Sequence, residues 1–535
     1  MIRYTSQHQL SIGEFKTPFE QSLLPTNRWV LLSSALPWDD LAQVYHRQMS
    51  AGMGRGSINT RLVIGVLIIK HILKLDDREV LATLQENVYL QYFVGFSSFQ
   101  TKIAFDPSLL VTLRKRMGLE AFDEWSQAVI KKIEAIESAQ IEPRKDLEVS
   151  NNIAIKSNIN QDEAPTQTSD SVKTETKIVQ ANTPIELKDT LIIDTTVAEQ
   201  KIKYPTDIDL LNNVREFTEE LIDIFYEASA LKIKPRTYRN IARKDYLNAA
   251  LKRKKSSKEV RKAIKKQLSY IERNIFTINT LWDMLVGNNS PILFANPKHK
   301  ALYKKWLVCQ EIYRQQREMI DRNVKFCDNR IVSIDQPHVR PILRGKASKN
   351  IEFGSKVALS VVNGTNRIYR ISWNAYNDGV DLIGQVEAYK KQYNQYPKLV
   401  LADEIYMTKV NRAFLKENNI EHRGKPLGRP KKDENGNKIN PYNAFQQQQA
   451  NQRNHVEGQF GTAKDAYDLN KVKAKTTETS ESWIANIFFI LNINRLLKIV
   501  QKAMPNILGS FLKTLKSAFF TIFNAWEFRK KLQYA

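Results

Sequence analysis

The stretch KDTLIIDTT (188–196) and its later counterpart PKLVLADEIY (397–406) decide how the chain is read. Each is a short apolar, β-rich run that closes on a carboxylate, Asp194 in the first and Asp403 in the second. An apolar run of this length predicts a buried strand. A carboxylate just past such a strand is displayed at the edge of the sheet, where open α/β sheets place their sites. If the two strands are neighbours, Asp194 and Asp403 converge. Their like charges then repel, and a bound divalent cation is the usual way to hold them together.

Working outward, NRIVSID (329–335) predicts another strand. KVALSVV (356–362), Asn363-Gly364 and RIYRISW (367–373) predict a hairpin with an Asn-Gly turn. Helices are expected at about 379–392, 408–418, 445–467 and 481–501. Residues 207–325 read as helical throughout, so the expected class is α/β: a mixed sheet interrupted after its first strand by a large all-helical insertion. Residues 1–140 read as a separate all-α domain. LVIGVLIIKHILKL (62–75) has the density of a buried helix, and Asp76 with Glu79 signals the start of the next, REVLATLQENVYLQYFVGF (78–96). Two helices joined by a tight turn fit a helix-turn-helix or simply a compact helical domain. A third helix is expected between Asp106 and Gly118, and a fourth over 120–137. Residues 141–187, polar and without aromatics, read as a linker. An amphipathic tail occupies 501–535. The catalytic unit would then comprise 188–206 and 326–500.

The chain has 535 residues, with 81 Lys and Arg against 57 Asp and Glu, a formal charge of +24. That excess points to a polyanionic partner, nucleic acid before an anionic membrane. Residues 231–275 hold 16 Lys and Arg against 3 acids, so +13 falls in one segment. Its densest part, Lys252, Arg253, Lys254 and Lys255 followed by Arg261, Lys262, Lys265 and Lys266, predicts basic helices that track a DNA backbone. Two cysteines, Cys309 and Cys327, exclude a disulfide scaffold and a Cys-rich zinc site. The N-terminus lacks the apolar core of a secretory signal, and no charge-free apolar run of about 18 residues is present. The expectation is a soluble protein of the cytoplasm, associated with the nucleoid and not with a membrane.

The third carboxylate is Glu457, in RNHVEGQFGTAK (453–464). At 100° per residue, Arg453, Glu457 and Lys464 fall within about 40° of one line, beside an apolar stripe of Val456, Phe460, Ala463 and Tyr467. On its own such a trio is an ordinary solvated ion-pair ladder. The strand-terminal aspartates and the charge of +24 give it another meaning. Asp335 reads as a turn residue at a strand end, and Glu404 points away from Asp403's side. His338, His422 and His455 lack zinc spacing. Trp373 reads as core packing at the hairpin's end.

Together LIIDTT, RPILRGKASKNIEFGSKVALSV, LADEIY and RNHVEGQFGTAKDAY resemble the bacterial insertion-sequence transposases of the DDE class. LDDREVLATLQENVYLQYFVGF resembles their InsH-like N-terminal domain. The most specific element is the R-x3-E-x6-K pattern at Arg453, Glu457 and Lys464. The chain departs from the family pattern at Ala450, where a Tyr is usual, and at Glu404-Ile405, where Arg-Gly or similar is usual. The resemblance implies an RNase H-like core. In it Asp194, Asp403 and Glu457 hold two Mg²⁺ (or Mn²⁺) ions, and Arg453 and Lys464 contact DNA phosphates. It also implies binding to terminal inverted repeats and target DNA, strand cleavage and transfer, and a homodimer in the synaptic complex. A catalytically silent DNA-binding derivative and a stand-alone RNase H-like nuclease are the alternative functions.

Overall fold

The computed structural model describes residues 22–49, 57–156, 187–229, 231–287, 297–343, 351–425 and 444–503, with Tyr4, Gly428 and Tyr442. The expected linker beyond 156, most of residues 426–443 and the tail from 504 lie outside these residues.

Seven helices come first: α1 (Arg28–Ala35), α2 (Trp38–Arg47), α3 (Thr60–Leu73), α4 (Glu79–Glu86), α5 (Val88–Phe93), α6 (Ser108–Arg116) and α7 (Leu119–Lys156). Apolar residues surround α3 on every side, and it is buried from Thr60 to His71, as its density predicts. The start of α4 is a reciprocal capping box. The Asp76 carboxylate accepts the Glu79 N–H at 2.8 Å, and the Glu79 carboxylate accepts the Asp76 N–H at 2.8 Å. The single helix expected over 78–96 is two, because Asn87 leaves helical geometry and its side chain caps α5 through the Tyr89 and Leu90 N–H groups. Helix α7 continues to Lys156, into the stretch read as a linker.

Strand β1 (Thr190–Glu199) follows, then four helices in succession: α8 (Asp207–Ala228), α9 (Arg239–Ala250), α10 (Ser257–Gly287) and α11 (Pro297–Asp321). These pack on one another through Leu211, Val214, Ile222, Leu268, Ile271 and Ile312, a core distinct from that of the sheet. The Lys252–Lys255 cluster is an exposed connection and not helix. Ser256 and Glu259 form a second capping box that starts α10 just after it.

Residues 329–335 are not a strand. Ile331 and Ile334 are buried against the helical insertion. The Gln315 side chain accepts the Ile331 N–H at 3.0 Å and donates to the Asn329 carbonyl at 3.3 Å, so it takes the place of a neighbouring strand.

The remaining elements are β2 (Arg340–Leu343), β3 (Ile351–Val362), β4 (Thr365–Ser372), α12 (Leu382–Tyr393), β5 (Leu399–Ala402), α13 (Lys409–Glu417), β6 (Glu421–His422), α14 (Ala444–Asn451) and α15 (Asn454–Tyr467). A final helix, α16, spans Thr477–Ala503. The hairpin forms as expected, with Asn363 at φ 48° and Gly364 at φ 72°, the left-handed pair that a two-residue turn requires.

All six strands form one mixed sheet. β3 is antiparallel to β1 on one edge and to β2 and β4 on the other, while β5 is parallel to β1 and β6 parallel to β5. Two layers cover it. Ile192, Leu399 and Leu401 pack with Val456 and Phe460 of α15 and with α16. Leu191, Ile193 and Val400, the alternate residues, pack with α12 and α13.

Gly354 leaves no room for a side chain between β3 and β1. A Cβ there would overlap the Ala198 carbonyl oxygen and lie 2.8 Å from its carbon. Gly354→Ala is therefore expected to cost about 1–3 kcal/mol by forcing the two strands apart, read as a lowered denaturation midpoint.

Candidate functional site

In the parallel β1–β5 pair the last partners are Ile193 and Ala402, and Asp194 and Asp403 are the residues that follow them. Adjacent strands lie about 4.8 Å apart, which brings the two positions side by side. Alternation also gives them the same face as Ile192 and Leu401, the face covered by α15.

One detail differs from expectation. Asp194 does not end its strand: β1 continues to Glu199 in register with β3, from Thr195 opposite Ala358 to Glu199 opposite Gly354. It is β5 that stops, at Ala402, and Asp403 turns the chain by accepting the Glu404 N–H at 2.7 Å. The edge of β1 is thereby uncovered beside Asp194. Asp194 accepts the N–H of Thr195 at 2.7 Å.

Helix α15 supplies the third position. Val456, Phe460 and Ala463 are buried against the sheet, as the apolar stripe predicts. Glu457 lies in the first turn and is 55% exposed. A carboxylate there is favoured by the helix dipole. Arg453, at the break between α14 and α15, places its guanidinium 3.0 Å from Glu457 and 3.9 Å from Asp194. One cation therefore spans two of the three carboxylates. Lys464 lies two turns further along α15, 3.9 Å from the buried Glu352 of β3. Among the described residues, no three His, Cys, Asp or Glu side chains form an ion-binding group. In kind the donor set fits a hard divalent cation, being all carboxylate oxygen.

A tie that the sequence reading missed steadies the pair. Thr195, the residue after Asp194, and Tyr406, three residues past Asp403, share a hydrogen bond of 2.7 Å between their hydroxyls. Tyr406 is fully buried. Burial, with the charges of Asp378 and Asp194, pushes its phenol above the ordinary range, so it stays neutral. The bond fixes the segment after β5 against β1. The signal available was the position of Tyr406 within LADEIY, directly downstream of a strand-terminal aspartate. A second missed feature is the ion pair between Lys356 of β3 and Asp378, 2.5 Å apart and largely buried.

Asp335 is exposed and pairs with Lys305 at 2.9 Å, and Glu404 pairs with Lys425 at 2.6 Å; neither joins the site. Trp373 donates to Glu481 at 2.8 Å and meets the His338 ring edge-on.

In the helical insertion Arg253, Lys254, Lys262 and Lys265 are exposed. Lys252 pairs with Glu259, Lys266 pairs with Asp245, and Lys255 donates to the Ala250 carbonyl. Arg261 is structural in this arrangement, tying α10 to the end of α11 through Asn323 and the Ile320 carbonyl.

Residues 400–494 match the model of a transposase DDE domain, a span that includes Asp403, Arg453, Glu457 and Lys464. Residues 18–116 match a second model, a transposase domain of the DUF772 type. An uncharacterized protein, ORF8 in the nfe locus of Rhizobium meliloti, is 31% identical over 119 residues. That similarity covers 22% of this chain and 56% of the relative's length. No solved structure matches. One transposase model thus lies on the helical N-terminal region and another on the segment that carries Asp403 and Glu457, and together they support an insertion-sequence transposase of the DDE class.

Proposed function

We propose that this transposase binds the terminal inverted repeats of an insertion sequence, nicks the strands at the element's ends and joins them to target DNA. The observation that carries the reading is that Asp194 and Asp403 directly follow the last pair of the parallel β1–β5 ladder, with Glu457 on the helix that covers the face of Ile192 and Leu401. The strand order β4-β3-β1-β5-β6, two antiparallel pairings followed by two parallel ones, supports an RNase H-like core. In this reading 188–206 and 326–500 form the catalytic unit, 207–325 a basic insertion, and 1–140 a DNA-binding and assembly domain.

Asp194, Asp403 and Glu457 would hold two Mg²⁺ (or Mn²⁺) ions. Such ions activate water or a 3′-hydroxyl and stabilise the leaving oxygen of a phosphodiester. Arg453 compensates the crowded carboxylates and is placed to bind the phosphate beside the cleaved bond. Arg253, Lys254, Lys262 and Lys265 neutralise backbone phosphates further along the duplex, with Lys252, Lys255 and Lys266 flanking them. Lys464 and Arg261 reach DNA only by leaving their present partners. A homodimer in the cytoplasm, bridging two element ends on the nucleoid, completes the proposal.

The test is incubation with Mg²⁺ and a duplex carrying the element's own repeats, beside Glu457→Ala. Wild type is expected to nick at the end and the variant to bind without cutting. Wild type that makes no end-specific nick, or a variant that cuts equally well, refutes the reading. Binding without cutting by wild type itself would mark a catalytically silent derivative.

A further inference from the structure

Away from the carboxylates, α3, the start of α4 and α6 meet the end of α15 and the start of α16. A cavity of about 460 Å³ lies at that joint, within the size range of small-ligand sites. Five of its lining residues are cationic: Lys70, Lys74, Arg78, Arg114 and Lys473. Three are carboxylates, so the lining carries a net +2, five less three. Two of the three, Asp76 and Asp77, are engaged where they stand; the third is Asp468, just past the end of α15. Asp77 pairs with Arg114 at 2.6 Å and with Lys70 at 3.2 Å, and Asp76 accepts the Arg78 N–H at 2.7 Å while capping α4. Lys74, Arg78 and Lys473 are exposed at the rim.

Two further groups in the same lining point to a ligand. His71 is 5% exposed, and its Nε2 has no hydrogen-bond partner. The indole Nε1 of Trp483 is also buried without one. The two rings meet edge-on with centroids 5.0 Å apart. Burial and the charges of Lys70 and Arg114 hold His71 well below its ordinary range, so the imidazole is neutral. Buried polar groups are ordinarily paired, and a pair of orphans beside one cationic cavity marks a place that a ligand completes.

We propose that this cavity binds a phosphate group, with Lys74, Arg78 and Lys473 neutralising its charge and the Trp483 indole donating to one of its oxygens. The lining offers donors in excess of acceptors together with a net positive charge, which suits an anion with several acceptor oxygens. The phosphate comes either from a DNA backbone or from a free phosphate. The DNA source rests on the transposase reading, whereas the site itself does not. An occupant would bridge the N-terminal helices, through Lys70 and Arg114, to the segment that carries Lys473 and Trp483.

The test uses the full chain at fixed ionic strength, titrated calorimetrically with inorganic phosphate and separately with the terminal-repeat duplex. Lys473→Gln alters an exposed side chain, and Trp483→Phe keeps the ring but removes the donor; thermal melts check that both fold. Phosphate binding is expected to weaken about tenfold or more in Lys473→Gln, and about fivefold in Trp483→Phe. Parallel weakening of the duplex, with competition by phosphate, assigns the site to DNA. An unchanged duplex affinity assigns it to a free phosphate. Wild type that binds no phosphate, together with variants whose duplex affinity matches wild type, overturns the proposal, as does phosphate binding that neither substitution alters. Nicking by wild type is recorded on the same duplex. Its absence beside variant-sensitive phosphate binding would sink the transposase reading and leave the cavity assigned.

Discussion

Asp194→Asn is expected to lower end-specific nicking by about three orders of magnitude or more while leaving duplex affinity near wild type. The substitution isolates charge from shape. An asparagine still offers an oxygen to the Thr195 N–H, now bonded at 2.7 Å, so the backbone of β1 has no reason to move. The Thr195–Tyr406 tie next to it is untouched. What disappears is one negative charge from the group proposed to hold divalent ions, and with it several kcal/mol of the transition-state stabilisation that such ions supply. Asp403→Asn should behave alike, since an amide oxygen preserves its cap on the Glu404 N–H. Single-turnover nicking rates, duplex affinity and a thermal melt for each variant decide the matter. A variant that nicks within about tenfold of wild type would show that the side chain is not at the chemistry.

Much of this site was legible because strands and helices translate spacing into direction. LIID and LVLAD are apolar runs that become parts of β1 and β5, and the two strands are parallel neighbours whose last pair, Ile193 and Ala402, immediately precedes Asp194 and Asp403. The stripe Val456, Phe460 and Ala463 locates the buried face of α15. What could not be read was contact made by tertiary choice. The helical wheel puts Lys464 on the same flank as Glu457, yet it pairs with Glu352, a buried carboxylate of β3. NRIVSID has the composition of a strand, but strand pairing is a property of neighbours. Here a glutamine side chain on α11 satisfies the backbone instead. Charge density alone puts the KRKK cluster on a helix, but charge carries no information about where a cap such as Ser256 starts one.

Helix α16 supplies the sharpest conflict between composition and environment. By length and mean hydropathy, 1.4 over its best window, Thr477–Ala503 could cross a membrane. In the structure it is a core helix used on two faces. Phe489, Ile490, Ile493 and Leu496 join the N-terminal helices, while Ile484, Ile487, Phe488 and Leu491 cover the sheet. Asn492 is fully buried at this junction. Its amide accepts the Asn366 N–H at 2.8 Å and donates to the Asn366 carbonyl at 2.8 Å. Asn366 belongs to β4, which pairs with β3. The side chain therefore completes a strand edge that would otherwise present unpaired backbone groups inside the protein. Asn492→Leu leaves both groups buried and unsatisfied, at about 1–3 kcal/mol each, a large part of a stability of about 5–15 kcal/mol. The denaturant midpoint should fall steeply with little change in m. The sign of the effect discriminates between environments. In a helix that works within lipid, exchanging an amide for leucine would be neutral or favourable, so a stabilised or unchanged Asn492→Leu protein would contradict the buried two-faced packing that holds the N-terminal helices on the sheet.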